Sequence, residues 1–211
     1  MKEKIDFLKY DWHAYRAIIF DVDGTLYDLK KMHRLMVGEL LRHYFWRPWL
    51  IKDLSAIYYF RRERERLAAA AGGEINRRSY AAVAKKLRWP VERVEKVISA
   101  WMFKKPLEQI NRCRNANLAA ALEKIAAARI TIIYYSDYDP QDKVKALGLP
   151  AGYYFSSVDP EIDALKPSPK GLQFILRKLG LSAADCLLIG DRADRDGAAA
   201  EKAGIKYLII N

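Results

Sequence analysis

Four short runs constrain this chain more than anything else in it: AIIF (17–20), ITIIYY (130–135), CLLIG (186–190) and KYLII (206–210). Each is apolar, β-branched or aromatic, too short for a buried helix and bounded by polar residues or glycine. Each therefore reads as a fully buried strand. Leu172, Ile175, Leu176 and Leu179 mark a helix stopped by Gly180, and residues 197–203 mark another with Gly204 past its end. Leu118, Leu122 and Ile125 place a further helix before ITIIYY. Strands alternating with helices imply right-handed crossovers and a parallel sheet, so the expected fold class is α/β with a Rossmann-like core.

Between the first two runs no strand pattern occurs. VERVEKVISAWM puts Val91, Val94, Ile98, Trp101 and Met102 on one helical face, and Pro90 fits the helix start. LAAAAGG (67–73) ends another helix at its glycines. Residues 30–115 thus read as an all-helical insert after the first core strand, with 1–29 and 116–211 forming the core. Residues 1–16 read as a helical or irregular lead-in. They are charged throughout and lack the apolar h-region of a secretory signal. No apolar run approaches the ~20 residues of a membrane span. Of the two cysteines, Cys113 and Cys186, the latter sits in CLLIG and reads as a buried small hydrophobe. A reduced, cytoplasmic setting is expected.

Three of the four runs end on a polar group: AIIF on Asp21, ITIIYY on Ser136 and CLLIG on Asp191. The carboxyl ends of strands in an open parallel sheet line the ligand crevice, so these residues should converge in space. Asp21 and Asp23 pose the sharpest question. Carboxylates at the end of a core strand are costly unless compensated, or else they shift their pKa and neutralise. Each piece also has a plain structural use. Asp23-Gly24 is a common turn, and Ser136-Asp137 suits the start of a helix over QDKVKAL. Lys166 before Pro167 suits a solvated loop, and GDRADRD an acidic helix entry. The ordered set is more specific than any member.

As a set, these residues resemble the motifs of the haloacid dehalogenase superfamily, most of whose members are phosphatases. An apolar strand leads into Asp21-Val-Asp23-Gly24-Thr25; a second ends at Ser136; LKPSP carries Lys166; a third strand leads into Gly190, Asp191 and Asp196. The insert lies where phosphoglycolate-phosphatase-like members carry a helical cap. The resemblance implies Asp21 as nucleophile, forming an aspartyl-phosphate, and Asp23 as general acid and then base. A like-charged neighbour would raise the pKa of such an acid. Gly24, Thr25, Ser136 and Lys166 would hold the phosphoryl oxygens. The metal would be Mg2+, held by Asp21, Asp191, the Asp23 backbone carbonyl and Asp196, with Asp194 at the variable position. In the family the true dehalogenases carry tyrosine, and phosphonate-cleaving members alanine, where this chain has Asp23. The expected activity is hydrolysis of a phosphate monoester of a small phosphorylated metabolite. The alternatives are a sugar phosphomutase or a non-catalytic relic that binds anions or nucleic acid.

The positive charge is concentrated in the insert: residues 30–117 hold 21 Lys and Arg against 8 Asp and Glu. The main reading is solvated helix faces, since the acids of RRERER (61–66) lie three or four residues from arginines. The others are a positive surface steering anionic phosphates into the crevice, or a nucleic-acid or anionic-membrane surface. HYFWRPWL (43–50) combines Trp with Arg as interfacial segments do, but burial between insert and core is the expected use of its rings. Pro48 interrupts any helix there. Nucleic acid is not expected as a partner; peripheral contact with an anionic membrane is the lesser alternative. Trp101, Lys104 and Lys105, near the return to the core, are candidate substrate contacts.

Overall fold

The computed structural model of the protein describes residues 7–69 and 73–210. The first residues of the lead-in, and the stretch in which LAAAAGG was expected to end its helix, fall partly outside them. Strand β1 (Ala17–Phe20) is followed by helices α1 (Leu29–Phe45), α2 (Asp53–Ala69), α3 (Ile75–Leu87), α4 (Val91–Ile98) and the short α5 (Lys105–Leu107). Then come α6 (Ala116–Ala127), β2 (Thr131–Ser136), α7 (Gln141–Ala146), β3 (Tyr153–Ser156), α8 (Lys170–Leu179), β4 (Cys186–Gly190), α9 (Ala198–Ala203) and β5 (Lys206–Ile209). All pairings are parallel, in the order β3-β2-β1-β4-β5.

Burial on both faces explains why the strand runs are apolar throughout. Ile18, Phe20, Ile132, Tyr134, Leu187 and Ile189 point to one side, against Leu118, Leu122 and Ile125 of α6. Ile19, Ile133, Tyr135 and Leu188 point to the other, against Leu172 and Ile175 of α8 and Ala199 and Ala200 of α9. The register levels Phe20 with Tyr134 and Ile189, so the residues after these strands leave the sheet along one edge.

Two expectations are corrected at the sheet margins. A fifth strand, β3, lies beyond β2, and its first residue, Tyr153, is exposed. β5 is an edge strand and is not fully buried. An edge strand has one neighbour and partial cover, so it need not carry the continuous apolar run that marks a central one.

The helical segment packs around its own cluster of Ala56, Phe60, Val83, Val94, Val97 and Ile98. Most of the apolar face expected over 91–102 is present, since Trp101 and Met102 pack partly buried against the cluster of Val94 and Ile98, although α4 gives way to a wider π-turn at Ser99–Lys104. Val91 is exposed, whereas Val94 and Ile98 are buried. The expected burial of the HYFWRPWL rings is also overturned. Tyr44 is buried, but Phe45, Trp46 and Trp49 are 77%, 74% and 71% exposed. α1 ends at Phe45 and Pro48 opens a separate turn, so this tip runs past the packed part of the helix, whose buried side holds Met32 and Met36. No helix among the described residues is long and apolar enough to cross a membrane.

Packing between β2 and α8 is close enough to require a glycine. A Cβ at Gly171 would stand 2.0 Å from the hydroxyl of the fully buried Tyr135. Gly171→Ala should lower the unfolding free energy by about 1–3 kcal/mol, as overpacking does. Urea unfolding followed by circular dichroism measures the loss.

Candidate active site

The strand ends converge as their register requires. Asp21 leaves β1 directly, its backbone N–H bonded to the Ile189 carbonyl at 2.8 Å. Its carboxylate takes a 2.9 Å hydrogen bond from the Thr25 hydroxyl and an ion pair from Lys166. The Lys166 ammonium also reaches Asp196 at 2.6 Å. Lys166 is only 3% exposed, so the solvated-loop reading of this residue fails. Carboxylate oxygens of Asp21, Asp191 and Asp196 all lie within 4.8 Å of one another. Asp194 stands apart, exposed and paired with Arg192 at 2.6 Å.

Glycines make room for these acids. Gly24 has φ +96°, and a Cβ there would lie 2.2 Å from Asp191 Oδ2. At Gly190 a Cβ would lie 2.5 Å from that of Asp196. Both positions exclude side chains by contact, and Gly24 also by its backbone angle.

Asp23 faces a different partner. Its carboxylate is gripped by Lys143 of α7 at 2.5 and 2.7 Å, by the Ser136 hydroxyl at 3.2 Å and by the Tyr27 hydroxyl. Burial alone would raise its pKa, but the Lys143 ammonium and these hydrogen bonds outweigh it and hold Asp23 below the usual carboxylate range. The sequence expectation that a like-charged neighbour raises the pKa of Asp23 is therefore reversed. Tyr27 responds in the opposite sense, pushed well up by burial and by the adjacent carboxylate.

Asp137, read above as a helix-starting residue, ties three loops together. It accepts from Ser157 Oγ at 2.7 Å and from the Lys166 backbone N–H at 3.2 Å, and it pairs with Arg195 at 3.0 Å. The loops carrying Ser136, Lys166 and Asp196 are thereby fixed relative to one another.

The helical segment closes over this floor, leaving a cavity of about 400 Å³. Met32, Met36, Leu40, Ile57, Trp101 and Met102 form its apolar wall. Arg61 and Arg64 bring positive charge from α2. Of the three candidate contacts near the return to the core, Trp101 lines the cavity, whereas Lys104 and Lys105 do not. Arg64 contradicts the solvated reading of RRERER: it is 4% exposed, lies 4.5 Å over the Tyr138 ring and donates to Asn76 and to the Asp137 carbonyl. Glu65 pairs with Arg195 and, at 3.7 Å, with Arg192. The Glu74 and Ile75 N–H groups donate to Asp163. The Arg64 and Glu65 contacts therefore latch the helices to the core on the cavity's own perimeter.

Sequence reasoning missed Lys143, Tyr27, Arg64 and Asp137. For Lys143 one signal existed: it lies seven residues beyond Ser136, in the α7 segment that follows that strand end.

The donor set fits a hard divalent cation. Three clustered carboxylates have one buried ammonium, Lys166, among them, too little positive charge to keep all three ionised unless a cation joins these oxygen ligands.

Comparison with known proteins agrees with the fold. The family model described as haloacid dehalogenase-like hydrolase matches residues 15–204. No curated protein sequence matches the chain significantly. A 2-haloacid dehalogenase from Pseudomonas syringae superposes with TM-score 0.60 at 19% identity, covering 92% of this chain and 86% of that one. A magnesium-bound HAD-hydrolase from Bacillus subtilis gives 0.64 at 15% identity, covering 93% and 89%. A Thermotoga maritima protein assigned as a β-phosphoglucomutase gives 0.50 at 17% identity, covering 92% and 87%.

The electrostatics of the floor have a measurable consequence. Burial pushes the Asp21 carboxyl up to about 8; Lys166 opposes this, and Asp196 adds to it. Burial and Asp196 likewise raise Asp191 to about 6. Unfolded aspartate titrates near ~3.9, so the folded chain keeps protons that the unfolded chain releases. The stability linked to Asp21 is present in full below about pH 4 and is lost as pH rises toward 8. In EDTA, stability should fall across that window by up to ~1.4 kcal/mol per pH unit for this proton, and Asp21→Asn should flatten the slope. Urea unfolding at a series of pH values reads both.

Proposed function

The chain belongs to the haloacid dehalogenase-like hydrolase family, and we propose that it is a Mg2+-dependent phosphatase acting on a small phosphorylated metabolite. The observation that carries this reading is the cluster of Asp21, Asp191 and Asp196 around one lysine, which supplies too little positive charge for all three to ionise. These three side chains and the Asp23 backbone carbonyl would hold Mg2+. When bound, the ion supplies charge compensation for the phosphoryl oxygens and for Asp21.

In the proposed reaction an Asp21 carboxylate oxygen attacks phosphorus. The bond from phosphorus to the leaving oxygen breaks, leaving an aspartyl-phosphate. Thr25 and Lys166 hold the Asp21 carboxylate in a fixed orientation, so little reorganisation precedes attack. Lys166 also compensates phosphoryl charge, as do the backbone groups around Gly24.

Asp23 must protonate the leaving oxygen, yet in the substrate-free geometry it is an ionised partner of Lys143. We assign the switch to the substrate itself. A phosphoryl group offers Lys143 and Ser136 a more highly charged acceptor than Asp23. Once they turn to it, Asp23 loses the ammonium that depressed its pKa and takes up a proton from solvent. It passes this proton to the leaving oxygen. It then removes one from the water that hydrolyses the aspartyl-phosphate, releasing phosphate and regenerating Asp21. Residues 30–115 act as the cap, whose wall of Met32, Met36, Ile57 and Trp101 selects the leaving group.

A second reading, displacement of halide from a 2-haloacid by Asp21, draws on one observation: Lys143 keeps Asp23 ionised, and attack on carbon needs no proton for the leaving halide. Released phosphate and released halide separate the two.

Purified protein should release phosphate from p-nitrophenyl phosphate with Mg2+, lose that activity in EDTA and regain it with added Mg2+. Asp21→Asn should abolish it. Chloride release from 2-chloropropionate, unaffected by EDTA, with no phosphatase activity across a metabolite panel, would replace this reading with the second. Lys143→Gln should lower phosphatase kcat/KM by roughly 10²-fold, in the range of lost electrostatic stabilisation, while leaving the Mg2+-induced rise in Tm intact.

A further inference from the structure

The exposed tip of α1 is not used by the chemistry above. Val37, Leu41 and Phe45 recur at four-residue spacing, so they form one stripe along α1. They are 53%, 69% and 77% exposed. Trp46, Trp49 and Ile51 continue the stripe into the turn after the helix, and all are exposed. A run of six large apolar side chains on one surface exceeds the scattered exposure normal for a folded chain.

The charge around the stripe indicates what covers it. Arg34, Arg42, Arg47 and Lys52 flank it, all exposed. Of the neighbouring acids, Glu39 offsets Arg42 at 2.6 Å, and Asp53, buried, pairs with Arg93 at 3.3 Å. Among the described residues, Arg34, Arg47 and Lys52 make no ion pair. A second copy seated symmetrically would set these three uncompensated cations against their own counterparts. The complementary occupant is therefore anionic as well as apolar. Three aromatic side chains about three-quarters exposed project from the surface instead of lining a groove. Projecting rings ringed by Arg and Lys suit a bilayer interface, where Trp and Phe enter the headgroup region and basic residues meet anionic lipid.

We propose that the Phe45–Trp49 tip and the α1 stripe dock this protein on an anionic membrane surface. Val37 belongs both to the stripe and to the cavity lining, so a docked bilayer lies beside the cavity opening. This docking does not depend on the phosphatase reading.

Co-sedimentation with vesicles of phosphatidylserine and phosphatidylcholine tests it. The protein should pellet with the mixed vesicles, bind phosphatidylcholine alone at least tenfold less, and be released at ~0.5 M salt. The triple variant Phe45→Ser, Trp46→Ser, Trp49→Ser should reduce the bound fraction about tenfold or more. These side chains are exposed and outside the cavity, so its Tm and its turnover of p-nitrophenyl phosphate should match the wild type. Tryptophan fluorescence should shift to the blue on binding in the wild type and not in the triple variant. Failure of the wild type to bind mixed vesicles would overturn the proposal, as would undiminished binding by the triple variant. A concentration-dependent dimer in the absence of lipid, lost in the triple variant, would overturn it in favour of a second copy.

Discussion

One buried ammonium organises the floor of this molecule. Lys166 reaches Asp21 at the end of β1 and Asp196 beyond β4, bridging loops from two neighbouring strands. A lysine taken from water into such a site is stable only with carboxylates around it. These in turn cannot all stay ionised around a single positive charge. The result is a site whose charge is incomplete by construction. Asp21 and Asp191 are held toward neutrality by burial and by the nearby Asp196 carboxylate, and any hard cation that enters displaces protons from them. The glycines at 24 and 190 follow from the same demand, because the acids approach the backbone too closely for a Cβ.

A second ion pair, Asp23 with Lys143, is electrically closed where the first cluster is open. Asp23 has its carboxylate oxygens occupied by three donors, and its neighbour Asp21, two residues away, is bonded to quite different groups. Two aspartates on one turn thus shift in opposite directions because the turn gives them different partners. Environment, more than residue type, separates them. The Asp137 carboxylate then ties the loops between these pairs, accepting from the Lys166 backbone N–H and pairing with Arg195.

This division explains what could be read in the sequence. AIIF, IIYYS and CLLIG announce central strands because a strand covered on both faces must be apolar along its whole length. A polar residue at its end is then conspicuous. Asp21, Ser136 and Asp191 were legible for that reason, and Lys166 through its place in the ordered set. β3 and β5 are edge strands with weaker patterns, and β3 passed unnoticed. Lys143 looked like an ordinary lysine on a short surface helix, because its partner lies 120 positions away. Arg64 sat within an alternating charge run that otherwise behaves as solvated surface; its burial depends on Tyr138 of the core. Trp101 was legible on both counts: across the π-turn it stays packed against the cluster of Val94 and Ile98, and it lines the cavity.

The same asymmetry separates chemistry from selectivity. Asp21, Ser136 and Asp191 stand at strand ends, where parallel register fixes their backbone. The apolar wall of the cavity stands on helices joined to the core by Arg64 and Glu65 at the cavity edge and by the Asp163 contacts. Apolar packing joins the same helices to the core, with Met32 and Met36 of α1 in the cluster that holds Phe20, Val22 and Leu26. Leu67, Ile75 and Leu165 form a further, small apolar contact, and Leu165 immediately precedes Lys166. The loop that carries the central ammonium is therefore packed directly against the helices that roof the cavity.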